Sequence, residues 1–506
     1  MKTNISMHSQ LMDLLRAYWN IAINCLQWGD TGKGKFVDLI TYWADVIVRG
    51  RGGANAGHSV LLGDEEYVFH LIPSSILHDI DGKVSIIGNG VAVDPRILCD
   101  ELALLKAKNQ SYNNFMLALN AKLTLPTQIV RDRIVDKAGG KVVIGTTGRG
   151  IGPTYSDHAL RIGLEINDLL NPDILAKNVR NNVTYSLKVL QGYDPEIIKD
   201  VMHHEHLSRG LYYHPKKIFD VDSIITRYLQ FGEELAEFIQ DTDSFVQAAV
   251  GRRKILLEGS QGALLDVDNG TRPYVTGTST IVDGLAIGAG FNLHKHHVDL
   301  ALGVVKFPYM TRVGSGPFPT EFGDRMSEEW CRDATQEKDL EQFATASTND
   351  INEFSQGGAI RRLGREFGAT TRRPRRTGWL DLPLLRYAMR WGSENVILTK
   401  PDVLDTCEQI KICTSYIYDG PDYRVGTRVL TKGTSLREAT PMACVLEHCK
   451  PVYEILPGWQ RSIRGIRHFQ DLPPQLISVL NFVGAEAGIK PKMISVGPAA
   501  EETIIV

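Results

Sequence analysis

Ile21-Ala22-Ile23-Asn24-Cys25-Leu26-Gln27-Trp28-Gly29-Asp30-Thr31-Gly32-Lys33-Gly34-Lys35-Phe36-Val37-Asp38-Leu39-Ile40 is the stretch from which the fold is read. It opens on an apolar run, turns through Gly and Lys, and resumes with an apolar helical pattern. That is the strand, loop, helix order of a phosphate-binding unit. The turn fits the G-x-x-x-x-G-K spacing, with Gly29, Gly32, Lys33, Gly34 and Lys35 as the candidate phosphate cradle. Its glycines let backbone N–H groups approach phosphate oxygens, and the following helix adds the positive end of its dipole. Phe36 stands where a Ser or Thr would hold magnesium, so another oxygen must do so. Asp30, a hard carboxylate within the loop, is the candidate ligand. It also lies where substrate must sit, which makes it a candidate base; the plainer alternative is an Asp that stabilises a tight turn.

Working outward, further buried-strand runs occur at 45–48, 84–87, 142–144, 255–257, 300–305 and 396–398. Most end in Gly-rich or charged turns, with helical stretches between. The alternation predicts an α/β fold with a large, mainly parallel central sheet and helices on both faces. Residues 160–253 change to polar helical segments poor in Gly and read as a helical excursion. Residues 324–355 read as a polar helical insertion. Ahead of the body, Leu11, Leu14, Leu15 and Trp19 recur at helical spacing, so residues 1–20 read as a helical extension to a single domain over 21–506.

The chain has 506 residues, 43% hydrophobic, enough for a large core, and a formal charge of only −3. That balance gives no reason to expect a nucleic-acid or membrane-surface binder. The seven cysteines are far apart without a C-x-x-C pair. They read as reduced thiols in a reducing compartment, hence a cytoplasmic location. The first twenty residues contain no uninterrupted apolar segment, so neither a secretory signal nor a membrane span is expected. The patches at His203-His204-x-His206 and His294-Lys295-His296-His297 lack a Cys or carboxylate framework and read as solvated loops.

Thr399-Lys400-Pro401-Asp402 follows an apolar strand and matches the N/T-K-x-D pattern that reads guanine. An Asp carboxylate accepts from both guanine N1–H and the 2-amino group, whereas adenine would leave it desolvated and unpaired. Arg49 to His58 forms a second Gly-rich loop, in which a lone His becomes a plausible general acid. Gly145 to Pro153 forms a third, suited by its hydroxyls, backbone donors and Arg149 to a monophosphate. The run 368–379 packs Arg372, Arg373, Arg375 and Arg376 among Gly and Thr, which favours capture of carboxylates or phosphates over a solvated basic face.

The ordered set QWGDTGKGK (27–35), GGANAGH (52–58), GTTGRGIGP (145–153), EGSQGALLD (258–266), TRVGSGPFPTE (311–321), GATTRRPRRTGWLD (368–381) and TKPDVLD (399–405) resembles the adenylosuccinate synthetase family from about residue 21 to 506. The resemblance implies GTP-dependent phosphorylation of IMP at O6, followed by displacement of that phosphate by L-aspartate. It implies Asp30, His58 and Gln261 as catalytic residues. IMP would lie on Asn55, Thr147, Arg161, Gln261, Leu265, Thr276 and Gly316, with Arg161 reaching the site of a partner subunit in a homodimer. Aspartate would meet Thr371 and Arg373. GTP would meet the phosphate loop, Arg375, Lys400, Asp402, Ser495, Gly497 and Pro498. Mg²⁺ would be held by Asp30 and the Gly57 carbonyl. Thr31 stands where the family usually has Glu, and Arg372 and Pro374 where it has Gly and Arg. Those last two changes leave open a ligase with another amine donor or purine. A GTP-binding protein without catalysis is a further alternative, opposed by Asp30, His58 and Arg373.

Overall fold

The computed structural model describes residues 2–55, 57–62, 65–139, 144–203, 218–368 and 372–506. The apolar runs become strands because helices cover both faces, so strand residues need not alternate with polar ones. The central sheet consists of β1 (Asn20–Cys25), β2 (Val46–Arg49), β3 (Val84–Ile87), β4 (Phe115–Ala118), β5 (Ile239–Gln240), β6 (Ile255–Glu258), β7 (Leu300–Lys306), β8 (Asn395–Thr399), β9 (Lys490–Ser495) and β10 (Thr503–Ile505). Across the sheet the order is β5-β4-β3-β2-β6-β1-β7-β8-β9-β10. Every neighbouring pair is parallel except β9 with β10. The α/β expectation therefore holds, and six of the predicted runs lie in the sheet. The seventh, 142–144, falls mainly outside the described residues.

Alternate residues of β1 feed opposite cores. Ile21 and Ile23 pack with Phe36, Val37 and Ile40 of the helix Lys33–Thr41, while Ala22 packs with Val282, Leu285 and Ala286 of the helix Val282–Gly288. Met7, Leu11 and Leu15 of the helix Lys2–Leu15 join the first of these cores, together with Ile505 of β10. Trp19 departs from the expected pattern. It lies beyond that helix, is 45% exposed, and its backbone N–H donates to Asp299. Residues 160–253 include the helices Pro172–Leu190, Val221–Leu235 and Thr242–Ala249; 324–355 include Asp324–Asp333 and Gln336–Gln342.

A second sheet was not foreseen. It joins Tyr309–Arg312, Arg376–Asp381, Gln409–Tyr418 and Ser435–Leu436, with Cys449–Pro457 antiparallel to Gln409–Tyr418. In the central sheet, the chain runs from β1 outward through β2 to β5, returns as β6 beside β1, then continues on the other side through β7 to β9. Ligands of open parallel sheets bind outside the carboxyl ends of strands at such a reversal.

Candidate active site

Six adjacent strands end on one edge, and five of them end at or lead into residues singled out in the sequence. β1 leads to Gly29–Lys35, β2 to Asn55 and to His58 at the start of the strand His58–Leu62, β6 to Gln261. On the other side β7 ends at Lys306, β8 leads to Lys400 and Asp402, and β9 ends at Ser495. Gly29 and Gly32 have φ of 89° and 81°, the left-handed region that favours glycine, so the tight turn depends on them. Asp30 also lies there, at φ 51°. Lys33 opens the helix and is buried; its Nζ donates to the Gln261 carbonyl at 2.8 Å. Gln261 Nε2 donates to Asn55 Oδ1 at 2.8 Å, while Gln261 Oε1 is buried without a hydrogen-bond partner in the chain. The predicted Asp30 loop, Asn55 and Gln261 are thus brought together.

His58 Nδ1 pairs with Glu258 Oε1, both buried. Glu258 also accepts from Ser74 N and Oγ, each at 3.2 Å. Burial pushes the His58 pKa down, and the charges of Arg49 and Lys33 add to this against the pull of Glu258. Burial pushes Glu258 up, but His58 and Arg49 outweigh it and hold the carboxyl below its usual range. Both directions describe an ionised Glu258 accepting from the Nδ1–H of a neutral imidazole, which leaves Nε2 for a ligand. Arg49, fully buried at the end of β2, donates to the Gly53 carbonyl at 3.0 Å and ties the glycine loop down.

Beyond Asp30 lies a knot of charge. Arg375 Nε is 3.0 Å from Asp30 Oδ2, and its Nη1 donates to Glu366 Oε2 at 2.8 Å. Glu366 is fully buried and also accepts from Lys306 at 2.6 Å, Lys400 at 3.0 Å and Tyr309 at 2.7 Å. Burial raises the Asp30 pKa, but Arg375, Lys306 and Lys33 together bring it below the ordinary carboxylate value. Lys306 is pushed down to about 7 by burial in spite of Glu366. Lys400 has φ 61° and opens the turn Pro401–Leu404, which carries Asp402. Burial raises the Asp402 carboxyl, against the attraction of Arg464, whose Nη2 is 3.5 Å away. Lys35 Nζ donates to Ser495 Oγ at 2.8 Å and to the Gly497 carbonyl at 2.9 Å, so the phosphate loop meets the predicted C-terminal residues; Pro498 beside them is exposed.

The remaining predicted residues are less gathered. Thr147 and Arg161 are exposed, Arg161 at φ 64°. Thr276 N–H donates to the Leu265 carbonyl at 2.8 Å, linking two of the predicted IMP residues. Gly316, at φ 109°, donates its N–H to Glu328. Gly57 is partly buried, and Arg373 is exposed. Thr371 lies outside the described residues. Among the described residues, no group of three His, Cys, Asp or Glu side chains forms a metal cluster, and no helix is long and apolar enough to cross a membrane.

Sequence reasoning gave no role to Arg49, Glu258, Lys306 or Glu366. Three of them share a signal: a charged residue closing a buried apolar strand, at Arg49, Glu258 and Lys306. In a parallel sheet that position opens onto the ligand edge.

The comparisons agree along nearly the whole length. Residues 22–504 match the family model described as adenylosuccinate synthetase. An adenylosuccinate synthetase of Thermodesulfovibrio yellowstonii is 39% identical over 483 residues, covering 95% of this chain and 97% of its own. One from Syntrophotalea carbinolica is 36% identical over 490 residues, covering 96% and 98%. The fully ligated Plasmodium falciparum adenylosuccinate synthetase superposes with a TM-score of 0.75 at 29% identity, over 96% of this chain and 100% of that one. The succinoaminodeoxyadenylate synthetase of cyanophage S-2L, at 14% identity and a TM-score of 0.50 over 96% and 94% of the two chains, shares the fold. The chain belongs to the adenylosuccinate synthetase family, GTP-dependent ligases that join IMP and L-aspartate into adenylosuccinate.

Proposed function

We propose that the carboxyl edge of the sheet is the single site of both chemical steps, with Asp30 as base and His58 as the charge-stabilising partner of the leaving group. Asp30 takes the proton from N1 of IMP, and the electron pair released makes O6 the nucleophile. O6 forms a bond to the γ-phosphorus of GTP while the bond to the bridging oxygen breaks and GDP leaves. The α-amino nitrogen of aspartate then bonds to C6, phosphate departs with O6, and the amine loses a proton. Phosphoryl transfer is mainly positioning and charge neutralisation, which Lys33, Lys35 and the loop amides provide. His58 Nε2, left available by the Nδ1 bond to Glu258, steadies charge on the bridging oxygen. The observation that carries this reading is the connected set of Lys33, Gln261 and Asn55 beside an Asp30 paired with Arg375.

Asn55, Gln261, Leu265, Thr276 and Gly316 hold IMP, with Thr147 at its phosphate. Thr371 and Arg373 take aspartate. Lys400 and Asp402 read the base of GTP, while Arg375, Ser495, Gly497 and Pro498 complete its pocket. Hard oxygen donors suit Mg²⁺, and the partly exposed Asp30 carboxylate and the Gly57 carbonyl would hold it. When bound, Mg²⁺ would offset negative charge on the transferring phosphate. The enzyme acts as a cytoplasmic homodimer in which Arg161 completes the partner's IMP site.

Purified protein with IMP, GTP, Mg²⁺ and L-aspartate should form adenylosuccinate, followed by purine absorbance and product mass, and wells with other amino acids should stay silent. Asp30→Asn should still bind IMP by calorimetry but form product far more slowly. Turnover by that variant at the parent rate would remove Asp30 as the base.

A further inference from the structure

Residues 324–342 lie between the loop that carries Gly316 and the arginine loop, and the ligation chemistry assigns them nothing. The helix Asp324–Asp333 brings Glu328 to a junction of both loops. Glu328 Oε1 accepts from Gly316 N at 3.2 Å and from Arg376 Nη1 at 3.3 Å. The same Nη1 donates to the Gly316 carbonyl at 2.7 Å. The other nitrogens of Arg376 pair with Glu321.

Charge balance shows why Glu328 matters there. Arg312 and Arg376 are both buried, and Arg312 donates to the carbonyls of Ser315 and Pro317 while lying 4.3 Å over the Trp28 ring. Buried Glu321 supplies one negative charge against these two positive ones. Glu328, whose side chain is 35% exposed, supplies a second. A buried arginine stripped of its counter-charge is strongly disfavoured and drags its loop toward another partner. The acidic character continues along the insertion. Hydrogen bonding to Arg332 lowers the Asp333 carboxyl, with a contribution from Arg373; a backbone N–H and Thr335 lower that of Glu337, with a contribution from Arg372.

We infer that Glu328 is a positioning residue, tying the Gly316 loop to Arg376 so that the IMP loop and the aspartate loop keep a fixed spacing, with the helix Asp324–Asp333 as the brace. The inference rests on the assignment of Gly316 to IMP and Arg373 to aspartate. Arg376 continues directly from Arg373 through Pro374 and Arg375, so a displaced anchor displaces the loop.

Steady-state kinetics of Glu328→Ala and Glu328→Gln in the full chain test it. Losing a charge-assisted hydrogen bond at this junction should raise KM for both IMP and aspartate about tenfold in E328A. Glu328→Gln should fall between, because its amide oxygen still accepts from Gly316 N without the charge. KM for GTP should change much less, since of its proposed contacts only Arg375 lies on this loop, where Asp30 and Glu366 hold it independently, and the others lie on other strands. A general loss of packing would instead lower the melting temperature and change all three substrates together, so both are measured on the same variants. Unchanged KM for IMP and aspartate, or equal changes for all three substrates, would overturn the brace. Arg373→Ala separates the two layers of the argument. If it leaves the aspartate KM unchanged, the loop assignment falls and the brace with it. If it raises that KM while E328A is silent, the brace alone falls.

Discussion

Arg375 divides its guanidinium between Asp30 and Glu366, and that division keeps Asp30 ionised before substrate arrives. A triphosphate drawing Arg375 toward itself would leave Asp30 a stronger base at the moment it is needed. Asp30→Asn removes the proposed base without changing shape, so kcat should fall about 10²–10⁴-fold while thermal stability stays near that of the parent. Glu258→Gln tests the orientation of His58 in the same way, with a smaller loss of kcat expected. Lys35 carries a pH signature. Burial lowers its pKa from 10.5 in the free side chain to about 7 in the folded protein. Between those values the unfolded chain binds the extra proton, so this group's contribution to stability rises with pH across that window and is least favourable below it. Phosphate oxygens at the proposed GTP site would favour the charged form of Lys35, so GTP binding at pH 8 should take up protons. Calorimetry in buffers of different ionisation enthalpy measures that uptake, and Lys35→Gln should reduce it. Arg372 sits at φ 56°, where a side chain costs about 1–2 kcal/mol relative to glycine. Arg372→Gly should therefore raise the melting temperature in a thermal melt.

Elements were legible in the sequence to different depths. β1, β2, β3, β6, β7 and β8 stand out because parallel strands covered on both faces are short unbroken apolar runs. β4 was missed, although Phe115 to Ala118 is apolar, because the run continues as Leu119-Asn120-Ala121 without a clear turn. β9 begins Lys490-Pro491-Lys492, which masks the buried Met493-Ile494 that follows. Gln409–Tyr418 and Cys449–Pro457 hide for another reason. Their outer faces carry exposed Ile417 and Ile455, so neither alternation nor continuous burial marks them. The phosphate loop and the guanine-type motif could be read because their groups are close in sequence. The pair His58 with Glu258 is separated by 200 residues, and no local pattern announces it. Across the Lys2–Leu15 helix, Leu11 and Leu15 are fully buried against the body. Leu11→Ala should cost about 2–5 kcal/mol by leaving a cavity. Its effect should appear in chemical denaturation and leave the three KM values alone.

At the scale of the whole molecule, a homodimer with shared sites predicts complementation. Arg161→Leu and Asp30→Asn, each inactive alone, should regain activity when mixed and allowed to exchange subunits, because one kind of mixed site then has both residues intact. Mixtures that stay inactive after exchange, confirmed by mass, would confine each site to one chain. The six strand ends have a further consequence. Lys35 meets Gly497 across 462 residues of chain, and Lys33 meets Gln261 across 228. No contiguous fragment holds the full set of contacts. Catalytic turnover is therefore a gauge of the finished sheet: a nascent or partly unravelled chain is silent, and activity returns only when the last strand has found its place.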